Sequence, residues 1–236
     1  MIELYTDATP NGLKISIALE ELGLEYKAHR IFLGGDQMTP KFTAMNPNQK
    51  IPVLKDGDIT VSESGAILNY LAEKTGKLMP TDLADRAKTI EMLLLQMSGL
   101  GPNFGQLIVW AGPWENKFPE VTDRYSREVS RLLAVLERHL DGQKYMAANQ
   151  YSIADIAFFP WIRMCHVHPI GQTLNIEHYK SLGQWYDRIA EREAVQRGLL
   201  VPEPHPPEKQ GEAFFSAVVG LGELHKPAPS RDTEAA

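Results

Sequence analysis

The sequence predicts an α/β domain followed by an all-helical one. Three observations carry this: a strand–helix–strand pattern at the start, an Asp56-Gly57 hairpin signal flanked by two short apolar runs, and long helical periodicity with few strand signals from about Leu83 onward. The 236 residues, 43% of them hydrophobic, are enough to bury one large core or two modest ones.

Ile2 to Tyr5 reads as a short strand. Asn11 to Leu22 reads as a helix, with Ile15, Ala18, Leu19 and Leu22 at helical spacing and Gly23 as its stop. Tyr26 to Phe32 is a second strand. Beyond a loop through Gly34-Gly35 and the segment Pro40 to Met45, the runs Ile51 to Leu54 and Ile59 to Val61 flank Asp56-Gly57 and should pair antiparallel. Ser64 to Lys74 then places Ile67, Leu68, Tyr70 and Leu71 on one face and closes at Gly76. The order is βαβ, then ββα.

In the second part, Leu83 to Trp110 is a helical pattern interrupted by Gly99-Leu100-Gly101-Pro102, where proline lacks a helix donor and should bend or break the rod into a concave wall. Val121 to Leu140 repeats Val129, Leu132, Leu133, Leu136 and Leu140 at helical spacing. Ser152-Ile153-Ala154-Asp155 fits a capping box opening another helix, and a last one lies near Tyr179 to Glu191. The chain therefore divides near residue 80 into domains 1–80 and 81–200, with a Pro-rich extension at 201–236 that is partly docked or disordered. Within it Ala213 to Leu224 is apolar enough for a short docked helix.

Composition excludes several classes. The formal charge is −6 and the Lys and Arg residues are scattered, so no concentrated positive field serves nucleic acid. No window approaches the apolar length that crosses a bilayer, and the N-terminus lacks a signal-peptide pattern, which places the protein in the cytoplasm. Cys165 is the single cysteine, so an intrachain disulfide and a Cys-x-x-Cys pair are ruled out. Cys165, His166 and His168 do not make a metal site, because alternate helix positions diverge. Gly34-Gly35 lacks phosphate-loop spacing, so neither metal nor nucleotide is expected. Glu20-Glu21 reads as a solvated helix face.

Three motifs remain for chemistry. Ile51-Pro52 enters a hairpin strand; a cis bond there would leave the backbone N–H and C=O of Ile51 outward for a bound peptide, although a trans strand-initiating proline is the plain alternative. Glu63-Ser64 opens a helix, whose free amides and positive end suit a carboxylate while the Glu takes an ammonium; Ser64 as a simple N-cap is compatible with this. Thr9-Pro10-Asn11 ends the first strand and starts the first helix. The hydroxyl and amide are neutral donors that, with the helix terminus, can stabilise a thiolate brought by a ligand, and plain capping by Thr9 is the alternative.

In this order the motifs resemble the glutathione transferase superfamily. Thr9-Pro10-Asn11-Gly12-x-Lys14, Pro47-Asn48-x-Lys50-Ile51-Pro52, Glu63-Ser64-Gly65-Ala66-Ile67, Leu100-Gly101-Pro102 and Ser152-Ile153-Ala154-Asp155-Ile156-Ala157 are most similar to the bacterial Nu class and its fungal relatives. The resemblance implies a thioredoxin-like N-terminal domain plus an all-helical C-terminal domain in a homodimer, with glutathione as co-substrate. It implies Thr9 and Asn11 at the sulfur and Ile51, followed by Pro52, pairing with the cysteinyl unit. Glu63 and Ser64 would hold the γ-glutamyl end, Lys50 and Gln37 would face the glycyl carboxylate, and Arg124 would reach across the dimer interface. The implied activity is glutathione-dependent thiol–disulfide exchange on a small-molecule disulfide. The alternatives are conjugation to an electrophile held by Phe104, Gln106, Trp110 and Trp114, or a non-catalytic glutathione-binding regulatory module. Tyr5 reads as a core strand residue.

Overall fold

The computed structural model describes residues 1–111 and 117–203. Its first part is a four-stranded sheet in the order β2-β1-β3-β4, from β1 (Ile2–Thr6), β2 (Tyr26–Arg30), β3 (Val53–Asp56) and β4 (Ile59–Ser62). β1 pairs parallel with β2 and antiparallel with β3, and β3–β4 is the predicted hairpin. Alternation sorts the side chains to two faces. Ile2, Leu4 and Leu54 join the main core beneath α1 (Pro10–Leu22) and α3 (Ser64–Thr75). Tyr5 and Val53 face the other way, onto Phe42 of the short α2 (Pro40–Met45).

Two boundaries differ from expectation. β2 stops at Arg30, and the third strand starts at Val53 because Pro52 has no N–H to give a ladder. α2 was not legible: six residues are too few for periodicity, although Thr39 caps it and Pro40 takes its first position.

The second part is helical: α4 (Leu83–Leu95), α5 (Gly101–Ala111), α6 (Pro119–Leu140), α7 (Ile153–Val167), the short α8 (Ile170–Thr173), α9 (Lys180–Ala190) and α10 (Glu193–Gly198). The proline signal at Pro102 does not open a gap. A π-turn at Gln96–Leu100 joins α4 to α5, with the Gly101 N–H reaching back to Gln96 O, and Pro102, which has no N–H to give, sits just past it without ending the rod. α6 buries the five predicted apolar residues. α7 starts on the predicted capping box, and its buried Asp155 accepts from Ser152 N (2.9 Å), Ser152 Oγ (3.2 Å), Met146 N (2.9 Å) and Trp185 Nε1 (2.8 Å).

The two parts meet along α1. Ser16 Oγ donates to Gly198 O (2.7 Å), Arg192 grips Glu21 with two nitrogens (2.6 and 2.8 Å), and Arg197 meets Glu20 (2.8 Å). Glu20-Glu21 is therefore no solvated face, since the Glu21 side chain is only 6% exposed; the unforeseen α10 covers it. His166 stacks on Tyr186 (3.8 Å), and His168 Nδ1 accepts from Ile170 N. Burial pushes the Cys165 thiol up to about 12. Among the described residues no group of three His, Cys, Asp or Glu side chains could hold a metal ion, and no helix is long and apolar enough to cross a membrane. Trp114, the Ala213–Leu224 segment and most of the Pro-rich extension lie outside the described residues.

Candidate active site

The sheet register gathers the three motifs. Tyr5 pairs with Val53, and Val53 with Ser62, so the exit of β1, the entry of β3 and the exit of β4 lie at one end of the sheet. From that end project Thr9 at the cap of α1, Ile51 ahead of β3, and Glu63-Ser64 at the start of α3.

At α1, the Thr9 hydroxyl accepts from Gly12 N (3.4 Å), which leaves its own proton to donate. Pro10 occupies the first helical position. Gly12 is required: a Cβ there would stand 2.1 Å from Asp7 O, too close for the helix to start against that loop. Asn11 is half-buried, and its Oδ1 accepts from the indole Nε1 of Trp161 on α7 (3.2 Å). That bond turns the NH₂ end of the amide away from the indole, so Asn11 has donors to offer.

The Ile51–Pro52 peptide is cis, and Ile51 lies outside the β1–β3 pairing. Asn46 Nδ2 braces the approach by donating to Lys50 O (2.7 Å), while the Lys50 side chain is exposed. Glu63 has φ +70° and ψ 118°, a conformation an L-residue adopts at a cost of about 1–3 kcal/mol. Its exposed carboxylate accepts from Asn48 Nδ2 (3.4 Å). Ser64 is buried at the first position of α3, where backbone donors and the helix dipole favour an anion.

Behind Ser64 sits Lys14, whose role the sequence did not reveal. It is fully buried, with Nζ 2.6 Å from Gln96 Oε1, 3.3 Å from Ser64 Oγ and 3.4 Å from Met97 Sδ. Burial lowers its pKa from the usual lysine value to about 7, against the opposing pull of the Glu63 carboxylate. A signal was present: Lys14 is the sole charged residue between Pro10 and Leu19 in an otherwise largely apolar stretch. Trp161 and Gln96, which approach α1 from the helical part, had no such signal.

Other candidates sit apart from this cluster or serve different ends. Gln37 is buried and braces its own loop, donating to Leu33 O (2.8 Å) and accepting from Gly35 N (3.2 Å), so one N–H remains for a ligand. Arg124 lies exposed on α6, 4.0 Å from Glu128. Phe104 corrects the acceptor-site expectation: it is fully buried and packs against Trp161 (5.9 Å between rings), a core residue that offers nothing to an external electrophile. Gln106 and Trp110 share an outer face of α5, joined by an Nε1–Oε1 bond of 3.1 Å.

Comparison with known proteins agrees with this geometry. The "Glutathione S-transferase, N-terminal domain" family matches residues 2–73, and the "Glutathione S-transferase, C-terminal domain" family matches residues 101–193. The chain belongs to the glutathione S-transferase family, and the expected architecture, a thioredoxin-like domain followed by a helical one, is borne out. Among its relatives, disulfide-bond oxidoreductase YfcG of Escherichia coli is 38% identical over 208 residues, covering 85% of this chain and 95% of the relative. Disulfide-bond oxidoreductase YghU of the same organism is 40% identical over 223 residues, covering 87% and 76%. A glutathione transferase from Pseudomonas putida, solved with one glutathione disulfide bound per subunit, superposes with a TM-score of 0.81 at 42% identity, covering 85% of this chain and 91% of that one. One from Burkholderia graminis, with two glutathione molecules bound per subunit, gives 0.81 and 42% over 86% and 88%.

Proposed function

We propose that this protein is a glutathione-dependent thiol–disulfide oxidoreductase of the glutathione transferase family, using the thiolate of bound glutathione as its nucleophile. One observation carries the reading: the register brings neutral donors at the N-terminus of α1, an unpaired strand entry and an anion-accepting helix start to one end of the sheet. The relatives named as disulfide-bond oxidoreductases and the structures holding glutathione or its disulfide support it.

In this reading Ile51 pairs with the cysteinyl backbone, Pro52 fixing the bend beside it. Ser64 and the first amides of α3 seat the γ-glutamyl α-carboxylate, and Glu63 takes the ammonium. Thr9 Oγ1 and Asn11 Nδ2 donate to the sulfur, and the positive end of α1 adds to their effect, so more of the thiol is ionised near neutral pH. The thiolate attacks one sulfur of a small disulfide; a new S–S bond forms as the old one breaks, and the departing thiolate takes a proton from water. A second glutathione thiolate then attacks the glutathione sulfur of the mixed disulfide, releasing glutathione disulfide and the second product thiol. Lys50 and the free N–H of Gln37 face the glycyl end.

The protein functions as a cytoplasmic homodimer in this proposal, with the domain boundary near residue 80. Leu94, 57% exposed on α4, supports a covered face there, and Arg124 would reach the partner's cleft. Sedimentation at twice the 26.4 kDa chain mass is the expected result.

The test is glutathione-coupled reduction of a small disulfide, with glutathione reductase recycling the product. Asn11→Ala should cut kcat by about tenfold or more, in line with the loss of a donor to a developing or stabilised anion. A variant as fast as wild type, with glutathione affinity unchanged, would remove Asn11 from the mechanism. A protein that binds glutathione but turns over neither disulfides nor electrophiles would belong to the regulatory reading instead.

A further inference from the structure

Lys14 is used by nothing in the scheme above, yet it is costly to place. A fully buried ammonium needs every N–H satisfied, and here three acceptors surround Nζ: Gln96 Oε1 at 2.6 Å, Ser64 Oγ at 3.3 Å and Met97 Sδ at 3.4 Å. Three donors meeting three acceptors is an ammonium seat. An apolar side chain between Leu13 and Ile15 would have avoided the cost of burial.

The seat is assembled from both halves of the chain. Gln96 stands at the start of the π-turn, and a Cβ on Gly101 would come within 2.7 Å of Gln96 Nε2, so the glycine keeps open the space this amide occupies. A Cβ on Gly65 would stand 3.0 Å from Met97 Cγ, so the first turn of α3 also lies close against the π-turn. The register of the helical rod is thereby fixed against the loop that presents Ser64.

We infer that Lys14 is a positioning residue for the α-carboxylate of the γ-glutamyl group. By occupying the acceptor side of Ser64 Oγ, its ammonium turns the hydroxyl proton outward, and it places a positive charge behind the helix start that receives the anion. This deepens the assignment of Glu63 and Ser64 and rests on it. Met97 Sδ, 3.7 Å from Ser64 Oγ, offers the hydroxyl proton only a weak thioether acceptor, so an incoming carboxylate oxygen wins it readily. Glu63 is the charged neighbour that acts on Lys14 through space; the partners supplied by the π-turn are neutral.

The experiment separates this role from packing. Calorimetry at pH 6, where Lys14 carries its proton, would compare wild type and Lys14→Met for two ligands: glutathione, and 4-aminobutyryl-Cys-Gly, in which the γ-glutamyl group lacks its α-carboxylate. Wild type should prefer glutathione by about tenfold or more, and Lys14→Met should lose about tenfold in affinity for glutathione but less than about twofold for the analogue, as expected for one charge-assisted contact. Equal loss for both ligands, or no loss for either, overturns the inference. Should wild type bind the two ligands equally, the underlying Glu63–Ser64 assignment fails and the inference falls with it. If Lys14→Met does not fold, Gln96→Glu decides: an isosteric carboxylate 2.6 Å from the ammonium cancels its charge and should reproduce the carboxylate-selective loss. A Gln96→Glu protein that discriminates as wild type does overturns the proposal.

Discussion

At the scale of single residues, the site holds conformations that cost stability. Glu63, with φ +70°, is a non-glycine residue in a region glycine occupies freely. Glu63→Gly should relieve about 1–3 kcal/mol of strain, less about 0.5–1 kcal/mol for the looser unfolded chain, giving a net gain near 1 kcal/mol. The same change should weaken glutathione binding by about tenfold or more, since the carboxylate proposed to take the ammonium is gone. Thermal melts and calorimetry check both halves, and a loss of stability would mean that the side chain itself holds the turn. Trp161 poses a different case, because its indole N–H holds the oxygen of the Asn11 amide and so fixes which end is left to donate, the end proposed to face the sulfur. Trp161→Phe keeps a ring against Phe104 but frees that amide to rotate. Disulfide turnover should fall several-fold with KM for glutathione nearly unchanged, at a stability cost of about 1 kcal/mol for the lost bond. Thr9, Ile51 and Ser64 were legible because each stands at an element boundary that the sequence marks with Pro or a capping residue. Lys14, Gln96 and Trp161 were not: their importance lies in contacts that bring together residues 50, 82 and 150 positions apart.

At the scale of elements, the long helices followed from periodicity alone, and α6 and α7 begin and bury what their sequences dictate. Among the elements that escaped notice, α2 and α10 are six residues each. Neither is long enough to show a stripe, and α10 owes its place to a neighbour. Gly198 at its end lies so close to α1 that an added Cβ would come within 2.6 Å of Ile17 Cα, a backbone atom that cannot step aside. Gly198→Ala should therefore push the two helices apart, stretch the Ser16 Oγ–Gly198 O bond and destabilise the fold by about 2–3 kcal/mol. A chemical denaturation midpoint unchanged from wild type would show that α10 can shift without loss. The π-turn follows a similar logic. Its Gly-Pro signal was legible, but a register change and a break look alike in sequence; what distinguishes them is whether neighbouring elements hold the rod together, and here α6 and α7 do.

At the scale of the whole molecule, two buried ionisable groups set separate pH windows for stability. Burial raises Asp155 to about 6 even though four donors oppose the shift. Its native form therefore holds a proton that the unfolded chain releases, and the contribution of Asp155 to stability declines as pH rises from about 4 to about 6, against the opposite slope from the lowered His166 and His168. Lys14 acts higher and in the opposite direction. Its native pKa of about 7 lies below the unfolded value of about 10.4, so between those limits the unfolded chain binds more protons and stability rises with pH. Above pH 10 partly buried tyrosines intervene, because Tyr26 and Tyr151 are raised and native stability falls as the unfolded phenols ionise. In wild type alone the Lys14 contribution is thus readable from pH 7 to about 8.5, above which the raised Cys165 thiol opposes it; the difference between wild type and a Lys14 variant cancels Cys165 and extends the range to about 9.5. Lys14→Met carries no such proton, so its melting temperature relative to wild type should be most favourable at pH 6 to 7 and should decline steadily toward pH 9.5. A difference constant across that range would mean that Gln96, Ser64 and Met97 solvate the ammonium well enough to keep it charged throughout. The seat between the two domains would then be a fixed charge in place of a titrating one.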